Sequence, residues 1–211
     1  PQSSSLGCGQ VLPCPYTADK ARIVVQEMID GISLELVEKR LVTDQLVLTV
    51  GYDIENLTRP EIRKVYKGPV TTDRYGRRVP KHAHGTWNLP RATSSSSELL
   101  EAMAALYDKI VNPALLIRRM SLSACHVVNE KMAKEREQKE TFEQLDLFTD
   151  YAKKEAKEKE EQKKRERERR MQEALLTIKK KYGKNAVLRG MNFEEGATAK
   201  ERNGQIGGHQ A

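Results

Sequence analysis

Leu41-Val42-Thr43-Asp44-Gln45-Leu46-Val47-Leu48-Thr49-Val50-Gly51-Tyr52 is the stretch that decides the fold of this 211-residue chain. Val42, Leu46, Leu48 and Val50 fall on one side of an extended backbone, opposite Thr43, Gln45, Val47 and Thr49. Successive side chains of a strand point to opposite faces, so this pattern predicts a half-buried strand whose second face is partly polar. Such a strand belongs to a sheet that is covered on one side only.

Upstream of it, Ala21, Val24, Val25, Met28, Ile29, Ile32, Leu36 and Val37 recur at helical spacing, which predicts a helix with one buried face. Thr17 is its expected N-cap, Asp19 suits the helix dipole, and Gly31 is expected to weaken or kink the helix near Ser33. Residues 2–7 read as a short strand, after which Gly7, Gly9, Pro13 and Pro15 are expected to break regular structure. Downstream, residues 54–84 read as a long, basic loop punctuated by Pro60, Gly68, Pro69, Gly76 and Pro80.

A further strand is predicted over residues 85–89 and a helix start at 94–97, with Leu99, Leu100, Met103, Leu106, Tyr107 and Ile110 on one face and Pro113 as its stop. Residues 115–125 read as the last strand, with Leu116, Met120, Leu122 and Ala124 opposite Arg119, Ser121 and Ser123. The order is β-α-β-β-α-β. That predicts an α+β split βαβ sandwich, a four-stranded sheet with two helices on one face. Its free face is expected to be lined by Thr43, Gln45, Thr49, Arg119, Ser121 and Ser123.

Charge follows the same division. The formal net charge is +7, and residues 59–91 hold nine basic residues against two acidic ones. Concentrated positive charge beside a polar sheet face is the electrostatic footprint of a nucleic-acid binder. Tyr75-Gly76-Arg77-Arg78 reads as a turn that carries two guanidinium groups at its tip, shaped for phosphate oxygens. The candidate phosphate-gripping residues are Arg74, Arg77, Arg78, Lys81, His82, His84, Thr86 and Arg119. His82 and His84 have no third ligand nearby, and Cys8, Cys14 and Cys125 lack paired spacing, so no metal site or disulfide framework is predicted.

Beyond residue 129 the composition changes. Residues 1–129 are read as the DNA-binding domain, 130–170 as a charged tether and 171–211 as a small tail module. Residues 151–170 hold ten basic and six acidic residues, with acid and base four apart, which suits a solvated helix or a disordered tether. Within the tether, Gln144-Leu145-Asp146-Leu147-Phe148 is an apolar island between two highly charged segments. Apolar side chains exposed on a solvated stretch mark a docking site for another protein. The pentapeptide resembles the bacterial sliding-clamp-binding motif Gln-Leu-x-Leu-Phe at all four fixed positions. The alternative is a short amphipathic helix that packs Phe142, Leu145 and Phe148, three residues apart, on the preceding domain.

The chain also carries a wider resemblance. Gly9-Gln10-Val11-Leu12, residues 45–53, Pro80-Lys81-His82-Ala83-His84-Gly85-Thr86 and the tail segments 181–192 and 201–209 resemble the C-terminal little-finger domain of Y-family DNA polymerases, in the UmuC-like branch of Gram-positive bacteria. The resemblance implies the C-terminal portion of an error-prone translesion polymerase, with primer-template or damaged DNA and the bacterial sliding clamp (beta subunit) as partners. It also implies clamp binding through Gln144, Leu145, Asp146, Leu147 and Phe148. In that family the catalytic palm, which uses magnesium, precedes the little finger. No catalytic residue and no cofactor are therefore expected in this chain; its first residue is Pro1, which fits a piece of a longer protein, with the polymerase's catalytic domains upstream if it is one.

No apolar run is long enough to span a membrane and residues 1–5 lack the features of a signal peptide, so a cytoplasmic, nucleoid-associated location is expected. Two other functions fit the sequence. One is a standalone DNA- and clamp-binding protein that competes with the intact polymerase. The other is an RNA-binding αβ module, which the lack of paired exposed aromatics on a strand disfavours.

Overall fold

The computed structural model describes residues 4–143, 151–206 and 209–210. The pentapeptide Gln144, Leu145, Asp146, Leu147 and Phe148 lies outside the described residues, and so do residues 2 and 3 of the first predicted strand. The first strand, β1 (Ser4–Tyr16), leads into helix α1 (Ala18–Lys39) and strand β2 (Leu41–Tyr52). Two short helices follow, α2 (Glu55–Thr58) and α3 (Pro60–Val65), and then a hairpin of β3 (Val70–Thr72) and β4 (Arg78–Pro80). Strand β5 (Ala83–Thr93), helix α4 (Ser96–Ile110) and strand β6 (Ile117–Asn129) complete the sheet. The remainder contains α5 (Glu130–Glu143), α6 (Tyr151–Tyr182), a 3-10 turn over Gly190–Phe193, α7 (Ala199–Arg202) and a short pairing of β7 (Gln205–Ile206) with β8 (His209–Gln210).

The fold is α+β, with a four-stranded sheet in the order β1-β6-β2-β5 and every neighbour antiparallel. Each crossover helix therefore spans one intervening strand: α1 joins β1 to β2 past β6, and α4 joins β5 to β6 past β2. Leu46, Leu48 and Val50 of β2 are fully buried and share one cluster with Met28, Ile29 and Leu36 of α1, Leu99, Met103 and Leu106 of α4, and Ile117 and Leu122 of β6. Both helices lie on that face. Gly85 lets α4 come close, because a Cβ there would stand 2.8 Å from Cγ2 of Ile110 and 2.9 Å from Cδ1 of Leu106. The N-cap of α4 is Ser95, whose hydroxyl accepts from the Glu98 amide.

The structure departs from the sequence pattern at several elements. β1 does not stop at Gly7 but runs through Gly9, Pro13 and Pro15 to Tyr16. It is an edge strand, whose outer amides need no partner, and a register shift between Val11 and Tyr16 absorbs the proline segment. The stretch 54–84 is not one loop: α2, α3 and the β3–β4 hairpin occupy most of it. Asn56 anchors this region, donating from Nδ2 to the carbonyls of Asp53 and Leu116 and accepting from the Leu116 amide. The strand expected at 85–89 extends over Ala83–Thr93. Helix α1 continues through Gly31 to Lys39, where Arg40 closes it in the left-handed conformation at φ 55°. Thr17 is the N-cap residue of α1, although its side chain makes no capping bond.

Two positions depart from the expected alternation. Thr43 was expected on the polar face but is buried, and its hydroxyl donates to the Cys125 carbonyl. The register of β2 with β5 shifts between Thr43 and Gln45, while β2 keeps one register with β6 from Leu41 to Gly51. In β6, Gly51 pairs with Arg119 but Tyr52 pairs with Ile117, so Arg118 is the extra residue of a bulge. Ile117 rather than Leu116 thereby enters the core.

Burial on α1 extends beyond its apolar stripe because the C-terminal segment packs behind it. Glu27 is buried, and its carboxylate accepts from the amides of Thr198 at 2.8 Å and Ala199 at 3.0 Å and from Asn192 Nδ2 at 2.7 Å. A carboxylate from α1 thus caps α7, where free amides and the helix dipole favour negative charge. Arg189 pairs with Asp30 at 2.7 Å. Burial pushes the Asp30 carboxyl above its usual range, and Arg189 opposes that shift. Gln172 of α6 is buried and donates to the Ser94 carbonyl and the Ser96 hydroxyl, while Glu168 accepts from Ser95, Ser97 and the Ser97 amide at the start of α4. No helix among the described residues is long and apolar enough to cross a membrane.

Glu27→Ala should strand several buried donors and cost about 3 kcal/mol or more. Thermal unfolding together with limited proteolysis should show a lower melting temperature and faster cleavage within residues 185–204. Unchanged protection of that segment would contradict the capping role.

Candidate nucleic-acid interface

Alternation along the four strands builds a second face, opposite α1 and α4, that no helix among the described residues covers. Cross-strand partners share a face, so the registers place Gly9, Ser121, Thr49 and His84 in one row and Gly7, Ser123, Val47 and Thr86 in the next. Cys125, Gln45 and Asn88 form a third row, and Val11, Arg119 and Gly51 a fourth. None of these positions carries a carboxylate. Gly7, Gly9, Val11, Arg119, Ser121, His84, Thr86 and Asn88 are all exposed.

Hydrogen bonds order part of this face. Gln45 Nε2 donates to Asn88 Oδ1 at 2.9 Å, and Thr49 Oγ1 lies 2.9 Å from His84 Nδ1. Arg119 lies flat across Gly51, where a Cβ would stand 2.6 Å from its Cγ and 2.7 Å from its Nε. Gly7 similarly makes room beside Ser123, whose Oγ would stand 2.9 Å from an added Cβ. Glycines and serines at β1 and β6 give the face a low floor, with Arg119 at one end. Hydroxyls and amides at this height can reach the backbone of a nucleic acid without meeting bulky side chains first.

The basic hairpin joins the same end. β4 passes through Lys81 and His82 straight into β5, whose first residues pair with Val50 and Thr49, next to Gly51. Arg74 and Arg77 flank the hairpin turn and Arg78 begins β4, and all three are exposed. The turn is organised by Asp73, whose Oδ1 accepts from the amides of Tyr75 and Arg77 at 2.9 Å each, while Gly76 takes a positive φ of 78°. Burial alone would raise the Asp73 carboxyl, but its bonds from Arg77 and Tyr75 outweigh that and hold it below the usual range. Arg77 is therefore ion-paired, with Nη2 2.7 Å from Asp73 Oδ2.

Of the sequence-derived candidates, the sheet brings His84, Thr86 and Arg119 onto one surface, the hairpin carries Arg74, Arg77 and Arg78, and Lys81 and His82 form the link from β4 to β5. Gly7, Gly9 and Gly51 were missed as parts of this surface. The signal was present in the two-residue spacing of Gly7 and Gly9, which matches a strand face as well as it matches a break. Asp73 and Tyr75 were also missed, since neither is basic. Among the described residues, no group of three or more His, Cys, Asp or Glu side chains is placed to hold a metal ion.

No family model matches the sequence, and no curated protein matches it. Among solved structures, the chain is similar to one from the complex of beta-clamp processivity factor and little finger domain of PolIV, at 8% sequence identity and a TM-score of 0.36, with 57% of this chain and 86% of that chain covered.

Proposed function

We propose that this chain is the DNA-binding and sliding-clamp-binding portion of a translesion DNA polymerase of the UmuC-like kind, and that it grips primer-template duplex through the phosphate backbone. The observation that carries the reading is the open sheet face, free of carboxylates and floored by Gly7, Gly9, Gly51, Ser121 and Ser123, with Arg119 and the basic hairpin at one end. Arg74, Arg77, Arg78, Lys81 and Arg119 supply charge, and His84 and Thr86 supply hydrogen bonds. Contacts of this kind fix position and carry no sequence information. A grip that does not read bases tolerates damaged ones, which is what lesion bypass requires. The sequence resemblance of residues 45–53 and 80–86 to the polymerase little finger supports the same assignment.

Binding of a labelled duplex should weaken with salt. If about four phosphates are engaged, log affinity falls against log salt with a slope of about −3.6. Arg78→Ala together with Arg119→Ala should reduce that slope by about 1.8 without creating a preference among duplex sequences. Binding that is independent of salt, or that discriminates strongly between duplexes, would overturn the reading.

Clamp docking through Gln144, Leu145, Asp146, Leu147 and Phe148 is the second half of the proposal. It rests on the match to the clamp-binding pentapeptide and on the charge of the segments either side of it. Leu147→Ala with Phe148→Ala should remove about 3 kcal/mol of transfer energy, more than a hundredfold in affinity for a purified bacterial clamp. The melting temperature should not move. Undiminished clamp affinity would refute docking, and a large loss of thermal stability would instead assign Phe142, Leu145 and Phe148 to the core.

A further inference from the structure

Tyr75 sits at the tip of the β3–β4 hairpin and is 65% exposed. A large ring in that position contributes nothing to the core. The guanidinium carbons of Arg74 and Arg77 stand 4.7 Å and 5.1 Å from its centroid, and its hydroxyl accepts a hydrogen bond from Arg74 Nη2. These distances are within the range of cation–π attraction. Beneath the ring, Asp73 fixes the turn through the Tyr75 and Arg77 amides and engages Arg77 through Nε and Nη2. Arg77 Nη1 has no part in that ion pair.

Exposed arginines ordinarily sample many rotamers, and a ligand that binds them must freeze that freedom. A guanidinium held against an aromatic face keeps its in-plane N–H groups available and loses less freedom when it meets a phosphate. We propose that Tyr75 is a positioning residue that holds Arg74 and Arg77 as a preformed clasp for the backbone phosphates of duplex DNA. The inference rests on the DNA-binding function above and adds a residue without charge to the interface. It also gives Asp73 a role, since a carboxylate in a phosphate-binding hairpin is otherwise a repulsive element. Here it aims one arginine and shapes the turn that carries the ring.

The test is fluorescence anisotropy of a labelled duplex titrated with the whole chain between low and moderate salt. Tyr75→Ala should weaken binding about fivefold while leaving the salt slope unchanged, because every cation remains. Arg78→Ala, by contrast, should lower the slope by about 0.9. Tyr75→Phe should retain most of the wild-type affinity, since the ring persists. In the Tyr75→Ala background Arg74→Ala should cost less than it does in the wild type, as expected if the two act together. Wild-type affinity in Tyr75→Ala would overturn the inference and leave the proposed function standing. A loss confined to single-stranded DNA would also overturn it, because the ring would then be a base-stacking platform. Absence of salt-dependent binding by the unmodified chain would overturn both.

Discussion

Strand β2 has to satisfy two environments at once, and the rest of the structure follows from that constraint. Leu46, Leu48 and Val50 are fully buried beneath α1 and α4, while Gln45, Val47 and Thr49 stand on the opposite face. Pairing with β6 on one side and β5 on the other fixes the register. A slip of one residue would place three large apolar side chains in water and bury a glutamine and a threonine. At roughly 1.5 to 3 kcal/mol for each buried aliphatic side chain, such a slip exceeds a large part of a domain's net stability. The polar face is therefore held open by the same burial that closes the core, and its rows of hydroxyls cannot drift out of alignment.

The period-two pattern of β2, the helical stripes of α1 and α4 and the order of the six main elements were legible in the sequence because each is a local repeat. What escaped was set by neighbours. The glycines and prolines of β1 read as breakers, yet an edge strand tolerates them because its outer amides bond to nothing in the sheet. Parity places Leu116 in the core, but the extra residue Arg118 in a bulge reverses parity without leaving a trace in composition. In the basic stretch 59–91 the charge cluster and the turn at Tyr75-Gly76-Arg77-Arg78 are legible, but the strands that flank the turn are not, since strands of three residues are too short to show a period.

The interface was legible in the same uneven way. Arg119, His84 and Thr86 could be named because the strand pattern and the charge cluster pointed to them. Gly51, Asp73 and Tyr75 could not, since their parts depend on a side chain that lies across a backbone or on a turn that closes. The C-terminal segment is the strongest case. Glu27 sits in an ordinary amphipathic helix, and nothing local distinguishes it from a solvated glutamate. Only the arrival of Asn192, Thr198 and Ala199 from far along the chain makes it a buried cap. That packing keeps residues 189–202 on the helix side, bridging to Gln10 at the edge of β1.

The central claim is that this polar face and the adjoining hairpin, rather than the helical side, meet DNA. Backbone amide chemical shifts, followed while a short duplex is titrated into the chain, test it most directly. The account predicts perturbations at Thr49, Thr86, Ser121, Ser123 and residues 73–78, with α1 and residues 168–202 unaffected. Perturbations concentrated on α1, α6 and the C-terminal segment, with the sheet face silent, would contradict it.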